Sequence, residues 1–307
     1  MPSTNAPRVA LGPSSAPSWM ADAIRTGGGE VTAIGDAEAL VWADAHNASS
    51  LQEALSRAGH IRWVQLPFAG IETLAPAIDR DRVWTCGKGV YAEPCAELAL
   101  SLALAGMRGL GTYARAQSWG APTGTNLAGA RVTILGGGGI AEALIRLLRP
   151  FDCHITVVRN TVQHMDGADI VVEADRYADC LVGADLVVLA LSLTPETEGM
   201  ISRSELEMME PHAWLVNVAR GRHIVTDDLV WALENKVIGG AGLDVTHPEP
   251  LPAGHRLWSL ANCIITPHVG NTPAMGAPLL AARIAANVRL FAEGGELLGR
   301  VYPDLGY

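Results

Sequence analysis

The sequence predicts an α/β protein built from two doubly wound parallel-sheet domains, and three observations predict it. Short apolar runs alternate with helical stretches from residue 8 to residue 86. A β-branched run, Arg131-Val132-Thr133-Ile134-Leu135, ends in four glycines and passes into a helical period. Further apolar runs at 153–158 and 185–191 then follow at the spacing that a parallel β-α-β series requires.

In the first series, residues 8–12 read as a strand and 19–25 as a helix stopped by Gly27, Gly28 and Gly29. Strands are expected at 30–34, 39–43, 61–66 and 82–86. Between the middle two, Ser49 and Ser50 precede Glu53 and Leu55, a serine-capped helix start with an acid in its first turns. Roughly 90 residues of this kind suffice for one small domain. The stretch 94–117, rich in Ala, Leu and Met, reads as one long buried connecting helix, with Gly106, Gly109 and Gly111 weakening its second half. The loop 120–124 separates it from the next strand.

Gly136, Gly138 and Ala141 occupy the three small positions of G-x-G-x-x-G/A between strand and helix. The first permits the turn, the second lets a pyrophosphate approach the backbone, and the third lets the helix pack on the strand. Ile140, Leu144, Leu147 and Leu148 share one helical stripe, and Pro150 stops it. The uncapped N–H groups at the start of that helix would face the phosphates. A Rossmann-type nucleotide domain is therefore expected, with further strands at 168–172, 213–218, 238–243 and 262–266, and a closing helix over 273–292.

Dinucleotide folds that prefer NAD place an acid about 20 residues past the glycines, on the ribose hydroxyls. Here that strand end reads Arg159-Asn160-Thr161. Arginine cannot accept from a 2′-hydroxyl but can pair with a 2′-phosphate, and Asn160 and Thr161 add donors. NADP(H) is the expected cofactor, with NAD(H) as the alternative.

A chain of 307 residues, 49% hydrophobic and 18% charged, has ample material for two cores. Its 22 Lys and Arg residues are scattered and the net charge is −10, which argues against a nucleic-acid partner. Apolar stretches break before the ~18 residues a membrane span needs. Cys86, Cys95, Cys153, Cys180 and Cys263 are odd in number and form no C-x-x-C pair, so reduced, buried thiols in a cytoplasmic protein are expected, and no metal site is assigned.

Four segments together resemble the D-isomer-specific 2-hydroxyacid dehydrogenase family. They are 135–140 around the glycines; Ser192-Leu193-Thr194-Pro195-Glu196-Thr197-Glu198-Gly199; Val216-Asn217-Val218-Ala219-Arg220-Gly221; and Gly242-Leu243-Asp244-Val245 leading to Glu249-Pro250-Leu251-Pro252 and Thr266-Pro267-His268. Length and the ending Leu305-Gly306-Tyr307 look more like the compact glyoxylate/hydroxypyruvate reductases of that family than its phosphoglycerate dehydrogenases. The resemblance implies a nucleotide domain over 99–281 inserted in a flavodoxin-like substrate domain formed by 1–98 and 282–307, with the reaction in the cleft between them and a homodimer formed through the nucleotide domain.

It also implies the site. By residue type alone Arg220 reads as an exposed strand-end arginine, Glu249 as a loop acid and His268 as a turn histidine. The resemblance makes Arg220 the anchor for a 2-oxo acid, His268 the proton donor, and Glu249 the acid that orients the His268 ring and favours its protonated form. Gly136, Gly138, Gly139, Ile140, Arg159, Asn160, Thr161, Ala219 and Asp244 are the expected cofactor contacts, Asp244 near the nicotinamide carboxamide. Ala69 and Gly70, in Leu66-Pro67-Phe68-Ala69-Gly70-Ile71, resemble the loop whose N–H groups meet the substrate carboxylate. The expected activity is reduction of a small 2-oxo acid, glyoxylate or hydroxypyruvate, by NADP(H). Two alternatives remain: an NAD-dependent phosphoglycerate-type dehydrogenase, and a dinucleotide-sensing binding protein similar to the corepressors of this fold.

Overall fold

The protein is described from a computed structural model over residues 6–302; the Leu305-Gly306-Tyr307 ending lies outside the described residues. The chain divides into two compact units, one taking the chain up to Tyr91 and again from Thr272, the other Ala92–Asn271. The division falls at 91/92 and 271/272, where the sequence places it at 98/99 and 281/282. Whole helices go to one unit, because a helix buries its apolar face against a single sheet.

The first unit begins β1 (Arg8–Gly12), α1 (Ser18–Thr26), β2 (Glu30–Thr32), β3 (Ala39–Trp42), α2 (Ala48–Ser56), β4 (Trp63–Gln65) and β5 (Val83–Thr85). All strands are parallel in the order β2-β1-β3-β4-β5, the flavodoxin-like arrangement. Two local expectations are corrected. Asn47, not a serine, caps α2, its side chain accepting from Ser50 N at 2.9 Å. The strand expected at 30–34 stops at Thr32, because residues 34–36 turn into a 3₁₀ helix.

The second unit runs α3 (Ala92–Met107), α4 (Leu110–Arg115), β6 (Arg131–Leu135), α5 (Gly139–Leu148), β7 (His154–Arg159), β8 (Ile170–Glu173), β9 (Leu186–Leu189), α6 (Arg203–Met208), β10 (Trp214–Asn217), α7 (Thr226–Glu234), β11 (Gly240–Leu243) and β12 (Cys263–Ile265). The helix expected over 94–117 is two helices, broken where Gly109 takes a left-handed φ of 64°. The parallel sheet has the order β12-β11-β10-β9-β6-β7-β8, so the strand order reverses at β6. Such a switch point, at the carboxyl ends of the strands, is where open α/β sheets bind ligands. Ala99, Leu102, Leu144 and Val216 fill one face of the sheet; Leu189, Leu206, Leu229 and Leu243 fill the other. On α5 the deepest residues are Ala141, Ala143, Leu144, Ile145 and Leu148, while Ile140 and Leu147 of the expected stripe are only partly buried.

The chain returns to the first unit with α8 (Pro273–Glu293), capped by Thr272 Oγ1, which accepts from Met275 N. It packs on α1, where a Cβ at Gly27 would lie 2.6 Å from the Ala285 carbonyl. Asn287, fully buried, donates to Gln65 Oε1 at 2.8 Å and so joins α8 to β4. Among the described residues no helix is long and apolar enough to cross a membrane. All five cysteines are free; Cys86 and Cys263 are buried as expected, while Cys95, Cys153 and Cys180 are partly exposed.

Candidate active site

Three adjacent strands of the second sheet end in register, with Asn217 paired to Leu243 and Leu243 to Ile265. The residues just past those ends are Arg220, Asp244 and His268, so the sheet itself brings three of the sequence-selected residues to one edge. Glu249 joins them through the loop after β11: its Oε1 lies 2.6 Å from His268 Nδ1. Both side chains are about half exposed, 51% for His268 and 41% for Glu249, so the pair stays accessible to a small molecule.

His268 sits in a left-handed conformation, φ 52°, uncommon for a residue with a side chain. Asp244 supplies what holds it there. Its carbonyl accepts the His268 N–H at 2.8 Å, Oδ1 accepts from Val269 N at 2.8 Å and Thr266 Oγ1 at 2.6 Å, and Oδ2 accepts from Gly270 N at 2.8 Å. Asp244 is 3% exposed, and three donors compensate its burial. The acid selected from the sequence as a cofactor contact is thus also the centre of the loop that carries the histidine.

Arg220 is placed by a residue of its own segment to which the sequence assigns no role. Asn217, fully buried at the end of β10, accepts from Ala219 N at 2.9 Å and donates to the Arg220 carbonyl at 2.9 Å. Its only sequence signal is a polar residue closing an apolar run. Gly221 is the second omission: a Cβ there would overlap the Thr246 carbonyl and lie 2.6 Å from His247 N. The Arg220 turn and the Glu249 loop therefore touch backbone to backbone. Glu198 accepts from Arg222 Nε at 3.0 Å, and His223 Nδ1 lies 3.0 Å from the Thr197 carbonyl, which ties the 192–199 segment to the same turn.

Cys95, on α3, lies beneath this edge; a Cβ at Gly270 would be 3.0 Å from its Sγ and 3.2 Å from Asp244 Oδ2. Burial pushes the Cys95 thiol up to about 11, the Asp244 carboxylate adds to the rise, and Arg220 opposes it.

The glycine turn follows β6 at the switch point. Gly136 has φ 115°, and a Cβ there would overlap the Ala190 carbonyl, so no other residue fits. Gly138, the residue before α5, has open space where a Cβ would stand and no side-chain cap on the helix. The first N–H groups of α5 are thereby left for an anion, and Gly139 and Ile140 lie in that first turn. Ala141 is fully buried against the sheet, as its motif position requires. Arg159 ends β7, and Asn160 and Thr161 are exposed beside it. A turn built of glycines, an uncapped helix start and a guanidinium at the next strand end fit the diphosphate and adenosine of a dinucleotide.

In the first unit, Ala69 and Gly70 lie in the loop after β4, and their N–H groups have no partner among the described residues. No group of three or more His, Cys, Asp or Glu among the described residues could hold a metal ion.

The fold and this edge define a dinucleotide-dependent α/β oxidoreductase with an acid–base pair. The sequence profile for the D-isomer specific 2-hydroxyacid dehydrogenase NAD binding domain matches residues 98–270. The chain is 30% identical over 284 residues to glyoxylate/hydroxypyruvate reductase A of Serratia proteamaculans strain 568, covering 88% of this chain and 87% of that one. It is 38% identical over 256 residues to an uncharacterized protein in the proB 3′ region of Corynebacterium melassecola, covering 81% and 84%. A D-isomer specific 2-hydroxyacid dehydrogenase from Xanthobacter autotrophicus Py2, solved with NADPH and MES, has the same fold, with a TM-score of 0.86 at 24% identity over 99% of this chain and 100% of that one. The chain belongs to the D-isomer specific 2-hydroxyacid dehydrogenase family and is an NAD(P)-dependent oxidoreductase.

Proposed function

We propose that this enzyme reduces a small 2-oxo acid, glyoxylate or hydroxypyruvate, with NADP(H) preferred over NAD(H). The observation that carries the chemistry is the His268–Glu249 pair beside Arg220 at one edge of the sheet. The relative from Serratia, a glyoxylate/hydroxypyruvate reductase by name, supports the substrate class.

The nicotinamide supplies the hydride when bound. Arg220 forks its guanidinium onto the substrate carboxylate or reacting carbonyl, and the Ala69 and Gly70 N–H groups serve the carboxylate. His268 Nε2 donates the proton to the developing alkoxide while Nδ1 is held by Glu249. Gly136, Gly138, Gly139 and Ile140 would hold the phosphates, Ala219 and Asp244 would border the nicotinamide, and Arg159, Asn160 and Thr161 would receive the 2′-phosphate.

The enzyme works as a homodimer formed through the nucleotide unit. Leu110, Tyr113 and Trp119 are exposed, Trp119 completely, and a groove of about 350 Å³ lined by Gly109, Gly111, Thr112 and Ile264 lies beside them. That groove is at the amino ends of β10, β11 and β12, away from the reacting edge.

Steady-state kinetics over a panel of 2-oxo acids, each with NADPH and NADH, test the reading. Glyoxylate or hydroxypyruvate should give the highest kcat/KM, and NADPH should exceed NADH. Equal or better use of NADH would remove the cofactor preference, and turnover confined to other 2-oxo acids would remove the substrate.

A further inference from the structure

We propose that Gly137 and Gln163 form a seat that holds the Arg159 guanidinium in position for a 2′-phosphate, so that cofactor discrimination depends also on two residues that do not themselves meet the phosphate. The proposal rests on the NADP(H) reading of Arg159 given above.

The Arg159 stem crosses the glycine turn. A Cβ at Gly137 would stand 2.7 Å from Arg159 Cδ, 2.9 Å from Nε and 3.0 Å from Cβ. Gly137 is the middle residue of G-x-G, a position the phosphate turn does not itself restrict. The arginine lying over it accounts for the glycine there.

Gln163 holds the other end. Its amide satisfies its surroundings in one orientation, with Oε1 toward Arg159, accepting from Nη1 and Nη2 at 3.2 Å each. Turned the other way, its NH₂ would face only donors. One acceptor between the two terminal nitrogens fixes the plane of the guanidinium while leaving Nε–H and two outer N–H groups to bind an oxyanion. Among the described residues no carboxylate forms an ion pair with Arg159, although Glu173 is its cross-strand neighbour on β8. A neutral acceptor is what this seat requires: a glutamate at 163 would hold the arginine equally well but cancel its charge and repel the phosphate.

A free arginine loses much of its rotamer freedom when it grips a ligand, and a seated one has lost it beforehand. The seat should therefore raise affinity for the 2′-phosphate alone and leave the rest of the dinucleotide site untouched.

Isothermal titration calorimetry with 2′,5′-ADP and 5′-AMP tests this without turnover, alongside KM for NADPH and NADH. In Gln163→Leu the affinity for 2′,5′-ADP should fall about tenfold with 5′-AMP unchanged, and KM for NADPH should rise about as much with kcat unchanged. Gln163→Glu should lose about 100-fold, the added charge opposing the phosphate. Gly137→Ala should lose 2′,5′-ADP affinity while keeping 5′-AMP, which also reports that the turn is intact. If Arg159→Ala abolishes the preference for 2′,5′-ADP and both Gln163 variants bind it like wild type, the seat is wrong and the cofactor reading stands. If Arg159→Ala itself leaves 2′,5′-ADP binding unchanged, the cofactor reading fails first.

Discussion

Glu249 Oε1 and His268 Nδ1 lie 2.6 Å apart, which leaves Nε2 as the ring nitrogen without a partner among the described residues. A fixed Nδ1 contact sets both the tautomer and the aim of the ring. Replacing the ring removes the donor, so His268→Gln should lower kcat by about 100-fold or more. Glu249→Gln keeps an acceptor for Nδ1 but replaces a carboxylate hydrogen bond with a weaker amide one that holds the ring less firmly, and should cost about tenfold. Near-wild-type kcat in a folded His268→Gln enzyme would remove it from the mechanism.

Gly221 has no room for a side chain against Thr246 and His247. Gly221→Ala must push the Arg220 turn away from the Glu249 loop. Overpacking of this kind costs about 1–3 kcal/mol, so Tm should drop by several degrees and kcat/KM should fall with it. An alanine variant with unchanged Tm and kinetics would mean that the two loops are not locked together.

Asp185 bears on acid stability. Burial pushes its carboxyl up, but the Arg131 N–H at 2.7 Å and the His212 ring at 2.7 Å push it down further, and the net is below the usual carboxylate range. A carboxyl lowered by folding contributes stability above its unfolded value, near pH 4, and that contribution disappears as pH falls through the lower folded value. Asp185→Asn should therefore lower Tm at pH 7, and the difference from wild type should shrink as pH is taken below about 4, as measured by thermal melts across that range. A constant difference at all pH values would contradict the assignment.

The thiols should differ in reactivity. Burial pushes Cys263 up to about 12, while Cys95 stands at about 11 from burial and the neighbouring Asp244. Neither carries appreciable thiolate at pH 7.5. In the native enzyme iodoacetamide should label Cys180 and Cys153, which are less buried, well before Cys95 or Cys263, as read by peptide mass spectrometry. Cys95 labelled as fast as Cys180 would show that the floor of the reacting edge is open.

The exposed Trp119 offers a test of assembly. Sedimentation velocity at micromolar concentration should find a dimer for the wild type and a larger monomer fraction for Trp119→Ser. A monomeric wild type would end the proposal.

What the sequence made legible was local. The run into Gly136 and the small residue at Ala141 report their own surroundings, because a tight turn and a helix seated on a strand constrain the residue itself. The parallel strands were legible for the same reason, being nearly continuous apolar runs. The break at Gly109 was hidden because Gly106 and Gly111 look identical in sequence, and only Gly109 takes a left-handed φ. The short helix α6 went unread although Ser202 and Glu205 form a capping box at its start. Gly221 and the loop-holding work of Asp244 depend on partners far along the chain, and Asn217 on the turn that Ala219 and Arg220 make around its side chain, none of which periodicity reveals.

The way α8 completes the first unit has a consequence for biosynthesis. Phe291 packs on Trp63 with ring centroids 5.3 Å apart, and Asn287 reaches the buried Gln65, so β4 waits for a helix residue that lies 222 positions further along the chain. Domains otherwise fold as they emerge from the ribosome. The second unit, Ala92–Asn271, is contiguous and can close while α8 is still unsynthesised. Until then the β4 face of the nascent chain stays uncovered, so the first unit, although its strands are translated first, is the later of the two to be completed.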